Sequence, residues 1–109
     1  MPETRLVLGQ SIPAASTLTA LYTGPAATQT VVSTISVCEQ NGTATTYSIS
    51  IAVAGAADTP AQYICKNAPL QANETKAITV GITLGATDVI RVLSASGNVS
   101  FNAFGVQLT

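Results

Sequence analysis

Between residues 28 and 55 the chain reads TQTVVSTISVCEQNGTATTYSISIAVAG. Val31, Ser33, Ile35 and Val37 share one parity, and Tyr47, Ile49, Ile51 and Val53 share one parity after a break. Alternation of this kind marks a half-buried β-strand, because successive side chains of an extended chain point to opposite faces. Asn41-Gly42 lies between the two runs. Asn-Gly supplies the two positive-φ residues of a tight turn. The pattern predicts a long central hairpin whose outer face carries Thr34, Ser36, Ser48 and Ser50.

The flanking segments read the same way. Residues 4–8 form a first strand that Gly9 ends, and Pro13 makes residues 11–15 a connector, since proline cannot donate to a ladder. A second strand over 17–22 stops before Gly24-Pro25. A fifth strand over 61–66 sets Tyr63 and Cys65 on one face and is broken by Asn67-Ala68-Pro69. A sixth over 76–84 carries Ile78, Val80, Ile82 and Leu84 on one side. The seventh, over 89–93, leads through a short hairpin at Ser96-Gly97 into the last, over 99–108. Parity in that strand shifts between Phe101 and Phe104, which predicts a bulge or bend near residues 103–105. No stretch carries a 3.6-residue period with start and stop signals. The prediction is one all-β domain over residues 1–109, with about eight short antiparallel strands in a β-sandwich or jelly roll, an open barrel being the alternative.

Composition changes the picture in one respect. Charged residues make up only 8% of the 109 residues, against about 25% in an ordinary soluble domain. Ala and Thr contribute 17 and 16 residues, and the net charge is −1. A surface so near neutrality gains little from self-repulsion and tends to associate. The expectation is a subunit covered by other proteins, a dimer or trimer by closed symmetry. The alternative is a monomer solubilised by Thr, Ser, Gln and Asn alone. Arg5, Lys66, Lys76 and Arg91 are scattered, so a nucleic-acid footprint is not expected. No run of 18 apolar residues suggests a membrane span. The opening MPETRLVLGQS lacks the apolar core of a secretory signal, so the mature chain is expected to start at or next to Met1 and to fold in the cytosol of its producer.

Candidate chemistry is sparse. The chain has no His, and its Ser residues lie in no nucleophile-elbow context, so nucleophilic catalysis lacks a base. Glu3, Glu39, Asp58, Glu74 and Asp88 fall near strand ends or turns, with no spacing that suggests the paired carboxylates of a glycosidase. Asp58 and Asp88 have the character of turn-capping residues. An enzyme is not expected, and neither a cofactor nor a metal is predicted. Sequons at Asn41, Asn73 and Asn98 read as turn-flanking residues. Tyr22, Tyr47, Tyr63, Phe101 and Phe104 are expected in the core. Cys38 and Cys65, the only thiols, have three open states: free, bridged within the chain, or bridged between subunits.

Four segments carry a resemblance. LGQSIPAASTLTALYTGPA (8–26), VVSTISVCEQNGTATTYSISIAVAGAA (31–57), ITLGATDVIRV (82–92) and VSFNAFGVQLT (99–109) resemble a family of small tailed-bacteriophage virion proteins. The opening LGQ-x-x-PAA-x-T-x-T-x-LYT and the closing SFN-x-FG-V are its most specific parts. The resemblance implies an all-β subunit of the assembled particle, made in the host cytoplasm, with no catalytic motif to transfer. It implies a capsid decoration protein that meets the major capsid protein, or else a neck, collar, baseplate or tail component. A receptor- or glycan-binding module on a fibre is a third reading. The chain departs from the family at QYICKN (62–67), where a more Tyr-rich run is expected. A pairing of Cys65 with Cys38 would then be particular to this chain.

Overall fold

The structure is a computed structural model that describes residues 3–109; Met1, the expected start of the mature chain, lies outside the described residues. Nine strands form: β1 (Glu3–Ser11), β2 (Thr19–Thr23), β3 (Gln29–Glu39), β4 (Thr45–Ala52), β5 (Tyr63–Leu70), β6 (Thr75–Ile78), β7 (Ile82–Leu84), β8 (Val89–Ser94) and β9 (Val99–Leu108). They make two antiparallel sheets. The five-stranded sheet runs β1-β9-β3-β6, with β7 also on β3, and the four-stranded sheet runs β2-β8-β4-β5. The ladders β1·β9, β2·β8, β3·β6/β7 and β4·β5 are the successive rungs of one antiparallel ribbon folded over itself.

The core lies between the sheets. Phe101, Ile35, Ile49, Leu70, Leu84 and Ile90 are its largest fully buried side chains. The rings of Tyr47 and Phe101 meet edge to face at 6.4 Å, a favoured geometry because a positive ring edge meets a negative ring face. Tyr22 places its hydroxyl 2.7 Å from the Thr30 hydroxyl and accepts the Gln107 side-chain amide at 3.0 Å, so this buried phenol is satisfied.

Several expectations are corrected. The predicted central hairpin does not form: β3 lies in one sheet and β4 in the other, so Asn41-Gly42 crosses between sheets. Only Gly42 takes a positive φ there, so the two-residue positive-φ turn is not made either, and residues 41–43 bend into a sheet-to-sheet corner. The predicted hairpin at Ser96-Gly97 fails the same way, since β8 and β9 lie in different sheets. Ser48 and Ser50 are buried rather than outward on an exposed face. Ser48 accepts the backbone N–H of Asn67 at 2.9 Å. Ser50 has Arg91 and Tyr63 as cross-strand partners, and Arg91 ties down the loop over residues 53–62 through the carbonyls of Ala56 and Gly55.

Several strand boundaries shift. β1 continues past Gly9 through a bulge between Val7 and Gly9. β5 continues through Asn67-Ala68-Pro69, with Asn67 at φ 50 in an irregular ladder against β4. The predicted sixth strand divides into β6 and β7 around residues 79–81, which leaves Val80 exposed instead of in the core. β3 bulges at Ser33, between Val32 and Thr34. The predicted parity of Val31 therefore inverts: Val31 faces out and Val32 is buried. The bend expected near residues 103–105 exists, but β9 is continuous and the extra residues sit opposite it in β1 and β3. An extra residue in one strand bends the ladder and increases its twist.

Candidate functional site

The described carboxylates are engaged structurally; Glu39 and Glu74 are neighbours, the Glu39 backbone N–H donating to the Glu74 carbonyl at 2.9 Å. Glu3 makes one exposed ion pair with Arg5 at 3.8 Å. Glu74 accepts the Gln71 backbone N–H at 2.7 Å. Glu39, at the end of β3, is buried and accepts the backbone N–H groups of Asn41 at 2.9 Å, Thr43 at 3.3 Å and Asn73 at 2.9 Å. It thus binds the β3–β4 corner to the β5–β6 turn. At the opposite end of the sandwich Asp88 accepts N–H groups from Ala54 and Gly85, each at 2.9 Å. Asp88 caps its turn as expected. Asp58 does not: it accepts the Tyr63 hydroxyl at 3.0 Å. Among the described residues no three His, Cys, Asp or Glu side chains could hold a metal ion.

Both corner carboxylates titrate low. The Asn73 N–H lowers Glu39 most, against a smaller upward push from burial, with the N–H groups of the 41–43 corner adding to the lowering. The Ala54 and Gly85 N–H groups lower Asp88. A carboxyl whose folded value is depressed binds fewer protons folded than unfolded, so its contribution is complete above the unfolded value and is lost on acidification. Thermal stability is therefore expected to hold down to about pH 5 and to fall below the ordinary values of 4.5 for Glu39 and 3.8 for Asp88. Glu39→Gln should lower the melting temperature at pH 7 and flatten that acid limb. A melting temperature unchanged between pH 7 and pH 3 would contradict this reading of the two corners.

What the sheets present outward is a face. On the five-stranded sheet, cross-strand pairing lines up Glu3, Leu108 and Gln29; then Arg5, Val106, Val31 and Thr83; then Val7, Phe104 and Thr34; then Gln10, Asn102, Ser36 and Ala77. Val7 is 49% exposed, and Val31 and Phe104 are 38% exposed. The opposite parity in the same strands holds Gly105 and the buried Val32 and Ile82, while Leu6 at the β1 edge is 38% exposed. The apolar side chains thus stand together on the outer surface, and the Arg5–Glu3 pair is the charge at their margin. Contiguous exposed apolar surface marks interaction sites more often than scattered residues do. Phe104 is thereby moved from the expected core to this face. The Ser33 bulge, which aims Val31 outward, leaves no signal in the residue alternation.

No protein-family model, curated protein or solved structure matches the chain. The site therefore rests on its own geometry.

Two concavities flank this architecture. A groove of about 360 Å³ at the β1–β9 margin is lined by Gln10, Ile12, Gln40, Ser100 and Asn102, with Gln40 donating to the Ser100 hydroxyl at 3.1 Å. A second, of about 270 Å³, is lined by Asp58, Thr59, Pro60, Tyr63 and Lys66. Tyr63 is half-buried beside that pocket and is not in the core, a second correction among the aromatics. Cys38 and Cys65 are free thiols on different sheets. Cys38 pairs across with Ser100 and Thr75, on the side of β3 opposite Val37 and Glu39, which are buried. Cys65 packs against the core, and burial pushes its thiol up, offset in part by the Tyr47 hydroxyl. No helix is long and apolar enough to cross a membrane among the described residues.

Proposed function

We propose that this chain is a structural subunit of a tailed-bacteriophage particle, a decoration protein that lies on the capsid shell through the outer face of its five-stranded sheet. The observation that carries the reading is that face: Val7, Val31, Phe104, Val106 and Leu108 stand together with one ion pair at the edge. Burying such a surface against the major capsid protein desolvates almost no charge, and burying an unpaired charge is costly. The folded ribbon supports the same reading, because jelly rolls wrap in this order and are common in viral capsids; this part is an analogy of fold. The resemblance of residues 8–26 and 99–109 to small virion proteins adds to it.

Self-association as a dimer or trimer has a structural opening. The edge formed by β5 carries Pro69 and an Asn67 kink, and the edge formed by β6 and β7 is interrupted. The β1 edge is nine residues long, with no Pro or Lys and one bulge. Long edges invite pairing with another strand, and on β1 only the bulge and the Glu3 and Arg5 charges oppose it.

Phe104→Asp tests the docking face. The side chain points out of the sheet, so the purified variant should fold normally. Its incorporation into particles should fall about tenfold or more, the size expected at an interface anchor. Incorporation equal to the parent protein would overturn the assignment of this face.

A further inference from the structure

We infer that the pocket formed by Asp58, Thr59, Pro60, Tyr63 and Lys66 is a binding site for one neutral sugar ring. This inference does not depend on the shell reading, since the pocket lies on β5 and the preceding loop, in the sheet opposite the docking face.

The site is built before any ligand arrives. The loop over residues 53–62 is held by Arg91, which donates to the Ala56 carbonyl at 2.8 Å and the Gly55 carbonyl at 3.2 Å. Asp88 takes the Ala54 N–H at 2.9 Å, and the Gln62 side chain donates to the Ala57 carbonyl at 2.9 Å. A loop tied to neighbouring elements at three points and braced once within itself loses little entropy when it binds. Tyr63 is fixed in turn, its hydroxyl on Asp58 at 3.0 Å. Lys66 holds its ammonium 4.2 Å from the centre of the Tyr63 ring.

What remains free selects the ligand. Tyr63 occupies one Asp58 oxygen, which leaves the other as an acceptor. The Lys66 ammonium makes no hydrogen bond or ion pair among the described residues and supplies donors. The Thr59 hydroxyl can do either. An acceptor beside a donor matches two neighbouring hydroxyls of a pyranose. Pro60 offers apolar wall to its C–H face, while the Lys66 ammonium stands over one face of the Tyr63 ring. The carboxylate and the ammonium offset one another, so neither an anionic nor a cationic ligand is favoured. At about 270 Å³ the pocket is below the usual range for drug-sized ligands, which suits a small ligand such as a single ring.

The experiment is an NMR titration of the full isotope-labelled chain with glucose, galactose, mannose and N-acetylglucosamine, and with glycerol as a control. We expect saturable shifts of amides in residues 57–67 with at least one sugar and not with glycerol, at a dissociation constant of about 1–10 mM. Tyr63→Ala and Asp58→Asn should each weaken binding about tenfold or more, with melting temperatures close to the parent. Gln10→Ala, in the other concavity, should leave it unchanged. Absence of saturable shifts with all four sugars would overturn the inference. So would shifts confined to the groove around Gln10 and Asn102, or binding that survives both pocket substitutions.

Discussion

Phe101→Ala is expected to destabilise the fold by about 3–5 kcal/mol, the cost of removing a fully buried aromatic side chain and leaving a cavity. Phe101 is 0% exposed, stacks edge-on against Tyr47, and projects from β9 in the five-stranded sheet toward the four-stranded one. It is therefore one of the side chains that hold the two layers together. A domain of this size has about 5–15 kcal/mol in total, so the variant should lose a large share of its denaturation midpoint in urea. Phe104→Ala provides the contrast. The two residues share a strand and a chemistry, but Phe104 lies on the outer face and is 38% exposed. Its truncation should cost under about 1 kcal/mol. Equal losses for the two variants would contradict the assignment of Phe101 to the inner face and Phe104 to the outer one.

Gly105→Ala should be nearly as damaging, for a different reason. A Cβ at Gly105 would run into the backbone carbonyl oxygen of Val31 and lie 3.0 Å from the Val32 Cα. The obstacle is backbone in a neighbouring strand, at the Ser33 bulge, so no side-chain rotation relieves it. Overpacking of this kind costs about 1–3 kcal/mol and occasionally more. Gly97→Ala is the control: its Cβ meets nothing closer than the Ala15 backbone nitrogen at 3.5 Å, an ordinary contact. The pair should differ by at least about 1 kcal/mol in chemical denaturation. Similar midpoints would contradict the close approach of Gly105 to the Val31 carbonyl.

Much of the fold was legible because alternation is a local signal. Ile35 and Val37, Tyr47 and Ile49, and Ile82 and Leu84 are buried where the period-2 pattern puts them. Partner choice was not legible. Asn41-Gly42 marks a change of chain direction, yet such a signal does not say whether its flanking strands pair with each other or cross between sheets. That choice is made by long-range burial, and by Glu39, whose carboxylate gathers three N–H groups from two corners. Bulges were the other blind spot. An extra residue at Ser33 inverts the parity of Val31 without altering its residue type, which hid both the outward apolar face and the exposure of Phe104. The pocket around Asp58 was invisible for a related reason. It depends on the 53–62 loop folding back to meet Tyr63 and Lys66, a contact that Arg91 enforces from another strand.

The proposed placement on a phage shell is tested most directly by quantifying this chain in purified, DNA-filled particles by mass spectrometry against the major capsid protein. The account predicts a copy number that scales with the shell protein. A number matching the neck or tail proteins would move the subunit off the shell, and its absence from finished particles would contradict the account.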